Sequence, residues 1–423
     1  RALTLSLLLA VGCGPATGPS PGASGGSSGS AGNGGLANGN AGSFVGGANS
    51  GGSGSGATSG ASSAGNSALA GAGGKASGGT SSAGAGNASG TLSGDSGVWE
   101  NVTPAGVNLS ADFNPADNYG VQDVLADPAH AGTFYAFVCY QGVWKSVDFG
   151  GTWTKVDTDN DLEQGRPWGE AIAPDGSYML ASTGYGTARW GAWKSIDGGV
   201  TWEKYEIVDN SDPYMFDIDP SDKNHVLSTS HSVGNIYEST DAGETWSDRG
   251  DAGVDASGYV FFVSSSTWLL VAQSGSGATR RSTNSGSTWA DVGPMNHVHG
   301  GEQIFIDPAN QDIYVPAHGS VSGVYRSTDG GASFAQVSPA QSAAVFGTAT
   351  RIYGLDSGAS LSGNPPNPVS ATRSAATDWT SMTAPAEMTN GAKRADVTFD
   401  SVSNRWVIVA GNWNAGIWRY IEE

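Results

Sequence analysis

The 423 residues carry 39 acidic against 19 basic side chains, a formal net charge of −20. That balance disfavours nucleic acid and other polyanions and suits neutral ligands met outside the cell. Two cysteines, Cys13 and Cys139, are too few for a disulfide framework or a cysteine-built zinc site.

The chain opens with Arg1-Ala-Leu-Thr-Leu-Ser-Leu-Leu-Leu-Ala-Val-Gly-Cys13. A basic residue, a short apolar run and small residues before a break read as a secretory signal, too short to span a bilayer. Within it, Ala10-Val-Gly12-Cys13 resembles the lipobox of bacterial lipoproteins. The resemblance implies a signal peptide over 1–13 and a lipid on Cys13; the other reading is an ordinary signal with an incidental cysteine. Residues 14–96 are almost wholly Gly, Ser, Ala, Asn and Thr, with Lys75 and Asp95 their only charges. Such a stretch buries too little to offset its chain entropy, so a flexible tether is expected, about 50 Å across as a random coil. Anchor and tether together place the rest of the chain at an extracytoplasmic surface, expected to be a bacterial outer membrane.

From residue 97 one phrase recurs. It reads Ser146-Val-Asp148-Phe-Gly150-Gly-Thr152-Trp153, then Ser195-Ile-Asp197-Gly-Gly199-Val-Thr201-Trp202, then Ser239-Thr-Asp241-Ala-Gly243-Glu-Thr245-Trp246. A fourth copy has Asn284 for the Asp, a fifth has Phe334 for the Trp, and a sixth survives as Ser374, Asp378 and Trp379. The closing aromatics stand 43 to 49 residues apart. Ser and Asp side chains tighten a turn on nearby backbone amides, Gly supplies positive φ, and the β-branched Thr and the ring begin a buried strand. A period in the forties with four short strands per unit predicts an all-β propeller.

The first unit shows the pattern. Its strands are Val121–Leu125 (A), Phe134–Val138 (B), Gly142–Ser146 (C) and Trp153–Val156 (D). The last unit, Asp396–Phe399, Trp406–Val409 and Gly416–Tyr420, lacks a strand D, whereas Val98–Val102 reads as a strand D with no partners before it. Pairing the two closes the ring at seven blades over residues 97–423 and hides two edges. Cys139, in an apolar run, reads as a buried thiol. Alternation puts A–B and C–D turns on one face and the longer B–C and D–A loops on the other, where a propeller keeps its function.

The repeated phrase resembles the Asp box of the bacterial neuraminidase-repeat propellers, a superfamily that includes xyloglucanase-type hydrolases and sialidases. The resemblance implies a carbohydrate-active propeller, a glycoside hydrolase or polysaccharide lyase. The same corner also occurs in receptors and assembly factors, so a non-catalytic glycan- or protein-binding scaffold stands as the alternative. Sialidase is excluded, because no Phe-Arg-Ile-Pro stretch precedes the first corner and no Tyr–Glu nucleophile pair can be assigned.

Three sets of residues on the loop face carry candidate chemistry. Asp123, Glu170 and Asp396 begin strands A and ring the channel mouth, where paired carboxylates work as general acid and base. His297, His299 and His318 share two loops of one blade, as in the oligogalacturonate lyases, which hold a divalent metal with histidines at such a place. Surface or loop-packing histidines are the plainer reading. Trp168, Tyr185, Trp190 and Trp413 are flat rings suited to sugar faces, with Arg166 and Arg189 beside them for carboxylates. No cofactor is required, a divalent metal being the one candidate. The expected partner is a polysaccharide or oligosaccharide, met by a monomer.

Overall fold

The computed structural model describes residues 90–110, 119–158, 162, 165–184, 191–207, 213–231, 234–254, 258–273, 279–297, 303–318, 321–356 and 367–423. The regular elements there are 28 strands, β1 to β28 in chain order, grouped as seven four-stranded antiparallel sheets. Blade 1 is β2 (Val121–Ala126), β3 (Phe134–Val138), β4 (Gly142–Ser146) and β5 (Thr154–Lys155). The inner strands of blades 2 to 7 are β6 (Arg166–Ile172), β10 (Pro213–Ile218), β14 (Gly258–Ser264), β18 (Phe305–Ile306), β22 (Ala344–Gly347) and β26 (Arg394–Asp400). Blade 7 continues through β27 (Arg405–Gly411) and β28 (Ile417–Ile421) and takes its outer strand from β1 (Trp99–Asn101). Trp99 pairs with Tyr420 and Asn101 with Trp418, so the seven-bladed ring closes through strands far apart in the chain.

Burial follows rank in the blade. Strand A is covered along its whole length in blades 2 and 3, whereas an outer strand such as β13 (Ser247–Asp251) is exposed throughout. The charged residues that inner strands carry, such as Asp123, Glu170 and Asp217, are therefore buried with them.

The recurring corners are built from one hydrogen-bond set. The Asp148 carboxylate accepts from Thr152 N at 2.8 Å, Thr152 Oγ1 at 2.7 Å and Ser146 Oγ at 2.7 Å, and Trp153 Nε1 donates to Gly150 O at 3.1 Å. The corners at Asp197 and Asp241 repeat it. With Asn284 the amide reverses one bond and donates to Thr288 Oγ1 at 3.0 Å. In the sixth corner Asp378 still receives Thr372 N and Oγ1, and the Trp379 indole still caps a carbonyl, that of Ala376. Each of the first five corners turns on two consecutive left-handed residues. Three of the first positions are not glycine: Phe149 at φ 60°, Ala242 at 63° and Ser285 at 51°. The second is always glycine, and at Gly150 a Cβ would stand 2.8 Å from Val409 of blade 7.

Candidate functional site

Strand A enters blades 1, 2 and 3 through a register shift: between Val121 and Asp123, between Pro167 and Glu170, and between Pro213 and Met215. A bulge re-aims side chains at a strand end. The second one needs Gly169, whose Cβ would stand 2.3 Å from Met215 Cα, so the backbones of blades 2 and 3 touch there.

These entries bring Asp123 and Glu170 together with two cations from the start of blade 7. Lys393 Nζ donates to Asp123 Oδ1 at 2.7 Å and to the Trp168 carbonyl, and lies 5.4 Å from the Trp168 ring centroid. Arg394 Nη1 donates to Glu170 O at 2.7 Å and stands 3.5 Å from Asp123 Oδ2. Asp123 and Lys393 are each no more than 2% exposed, and Glu170 is fully buried. No backbone or basic donor reaches the Glu170 carboxyl, and Asp123 is its charged neighbour. Burial, and then the charge on Asp123, push Glu170 well above the usual carboxylate range. Burial works against ionised Asp123 too, but Lys393, the bond from Glu170 and Arg394 outweigh it and hold Asp123 below its ordinary value. The two carboxyls are therefore pushed in opposite directions, Glu170 up and Asp123 down.

Asp396 does not join them. Its carboxylate accepts from Ala126 N at 2.9 Å and Val397 N at 2.8 Å, tying the inner strands of blades 7 and 1. Burial raises it to about 6 against the pull of Ala126 N and Arg394. Asp217 makes the corresponding link to Phe262 N between blades 3 and 4. Three acids that look equivalent by position thus separate into a pair and a strut.

The rings of the loop face form one connected array. Trp168 stacks on Tyr214 at 5.7 Å and meets Trp413 edge-on at 5.9 Å, and Tyr119 packs edge-on against both tryptophans. Arg166 donates from Nε to Tyr140 Oη at 2.8 Å and lies 5.2 Å from the Tyr119 ring. The expectation of solvent-facing rings fails here: Trp168 is 3% exposed and Trp413 2%. Neighbouring strand entries converge on the channel, so each ring is covered by the next. Trp413 adopts φ 53°, held by paired backbone bonds with Val121. Arg394 is engaged by Asp123 and the Glu170 carbonyl.

His297 and His318 come side by side through a backbone bridge. The His297 ring lies edge-on to Tyr259 at 4.7 Å, and His318 Nε2 is 3.7 Å from Asp356 Oδ1. Burial lowers His318 more than Asp356 restores it, which favours the neutral ring. His299, Tyr185, Arg189, Trp190 and Cys13 lie outside the described residues. Among the described residues no three His, Cys, Asp or Glu side chains stand together as a metal set. Lys393, one residue before β26, is the member of the buried cluster that sequence reasoning missed.

No protein-family model matches the chain. No curated protein matches it either. Among solved structures, it is similar to the GH74 xyloglucanase from Xanthomonas campestris, at 15% identity and TM-score 0.51 over 76% of this chain and 53% of that one. A catalytically inactive virginiamycin B lyase from Staphylococcus aureus with Quinupristin aligns at 13% identity and TM-score 0.53, over 77% of this chain and 99% of the other. U3-55K aligns at 9% identity and TM-score 0.52, over 77% and 98%. The chain thus spans about half the length of the xyloglucanase. At such identities the likeness is one of fold: like these proteins, the chain is built as a β-propeller, here with seven blades.

Proposed function

We propose that this is a carbohydrate-active propeller working at its loop face, with Glu170 as proton donor and Asp123 as its ionised partner. The observation that supports this is the cluster itself: two buried carboxyls, one held low by Lys393 and Arg394 beside it and the other pushed up by burial. Such a split assigns acid and base roles in glycosidic chemistry. Lys393 keeps Asp123 charged while leaving the proton on Glu170. A lyase reading would instead use His297, His299 and His318 with a divalent metal. We place the protein outside the cytoplasm, held by a lipid on Cys13 through the 14–96 tether, and acting as a monomer.

One observation favours the non-catalytic alternative. Asp123 is 2% exposed and Glu170 fully buried, so a glycan reaches them only if the cluster opens. The deciding experiment is a panel of neutral and acidic polysaccharides, read for new reducing ends and for unsaturated products, with and without EDTA. Reducing ends lost in Glu170→Gln and Asp123→Asn support the hydrolase. Unsaturated products abolished by EDTA support the lyase. Binding without either product refutes catalysis and leaves a glycan receptor.

A further inference from the structure

Six of the seven grooves between blades are filled by a corner of the following blade. The corner of blade 1 lies on Val409 and Arg419 of blade 7, that of blade 2 on Tyr135 and Lys145 of blade 1, and that of blade 3 on Leu180 of blade 2. A cation from the preceding blade grips the incoming corner in several of them. Arg249 Nη2 donates to Ser285 O at 3.0 Å, Arg281 Nε to Gly330 O at 2.8 Å, and Lys194 Nζ to Glu244 Oε1 at 2.7 Å. The sixth corner is tied to blade 5 by Arg373 and Asp307.

The seventh groove, between blades 6 and 7, differs. Blade 7 receives its outer strand from β1, and among the described residues no corner enters this groove. A cavity of about 540 Å³ stands in its place, lined by Thr350, Arg351, Tyr353 and Ser370 of blade 6 and by Tyr420 and Glu422 of blade 7. The cation of the other grooves is nonetheless restored. Leu180 pairs with Lys194, Leu269 with Arg281, and Tyr353 with Ser370, so Ser370 occupies the gripping position. Arg351 reaches across to it, with Nη2 2.7 Å and Nε 3.2 Å from Ser370 Oγ. The floor is set by Glu422, whose carboxylate accepts from Thr348, Thr350 and Tyr353 at 2.5 to 2.7 Å.

We propose that this groove is a docking slot for a β-turn of a partner protein with the chemistry of the protein's own corners: a Gly-containing turn that offers a carbonyl to Arg351, followed by an aromatic ring. The cavity is within the range of bound small ligands and short peptide turns. A cation beside a carboxylate floor favours a neutral turn over an anionic ligand, and the same kind of groove takes such a turn six times elsewhere in the ring.

The test uses the full chain and a cyclised peptide carrying the neutral sequence Ser282–Trp289, followed by calorimetry or NMR titration. Saturable one-site binding is expected. Thr350→Trp, which fills the cavity from an exposed position, weakens it more than tenfold, and Arg351→Ala weakens it about tenfold through loss of a charged hydrogen bond. Thermal melts of both variants confirm that each is folded. Absence of saturable binding at millimolar peptide overturns the proposal. So does binding that neither substitution changes, or equal binding by a peptide with Ala in place of its Trp.

Discussion

Replacing Lys393 with Met tests the buried cluster most directly. The methionine keeps most of the volume but removes the ammonium 2.7 Å from Asp123 Oδ1. Both partners are buried to within 2% exposure, so Asp123 is left charged with Arg394 at 3.5 Å as its remaining cation. Breaking a buried pair from one side costs about 3–5 kcal/mol. For a domain of this size that lowers Tm by roughly 4–7 °C. The double variant Lys393→Met with Asp123→Asn recovers part of the loss, since no charge remains to be neutralised. The pH dependence has a definite sign. Asp123 has a lowered folded pKa, so its stabilisation is present above the unfolded carboxylate value and disappears as pH falls through the folded one. The gap between wild type and Lys393→Met therefore closes in acid. Differential scanning calorimetry from pH 3 to 8 reads all three quantities. A Tm change under about 2 °C, or a gap that persists unchanged at pH 3, would refute the reading of Lys393 as the counter-ion of Asp123.

Three further outcomes follow from other parts of the ring. Glu170 has a raised folded pKa, so its contribution is full below the unfolded value and lost as pH rises through the folded one. Glu170→Gln keeps a donor toward Asp123 without that liability, and its Tm relative to wild type increases from pH 5 to 9; a flat difference contradicts the assignment of the proton. Ser285 turns at φ 51° ahead of Gly286, so Ser285→Gly relieves left-handed strain and stabilises by about 1 kcal/mol, measured by denaturant midpoint. Trp99 is 5% exposed and packs 5.2 Å from Tyr420, so Trp99→Ala loosens the closure. The cost is about 3–5 kcal/mol, with concentration-dependent aggregation as the β28 edge opens, followed by light scattering. An unchanged melt and a clear solution would mean that β1 is not needed to close the ring.

The corners were legible because their cause is local. A serine, an acid four residues before a threonine, and a ring after a glycine complete their own hydrogen bonds within about eight residues, and the turn survives even where Asn284 reverses a bond. The count of blades and the closure by Val98–Val102 were legible for a related reason: strands of fixed rank repeat, so a missing outer strand shows at both ends. Asp123 and Glu170 could be placed at strand entries, but not beside one another, and Asp396 looked equivalent to them. Their separation depends on bulges that turn some side chains toward the channel and leave others to bridge strands. Lys393 was invisible, since nothing near it in the chain marks a buried lysine; its partner lies 270 residues away. The rings could be named, but their burial depends on how closely seven strand entries approach the axis. Hydrogen bonds that close within a few residues belong to the sequence. Desolvation, and with it every shifted proton affinity in the cluster, belongs to the assembled ring.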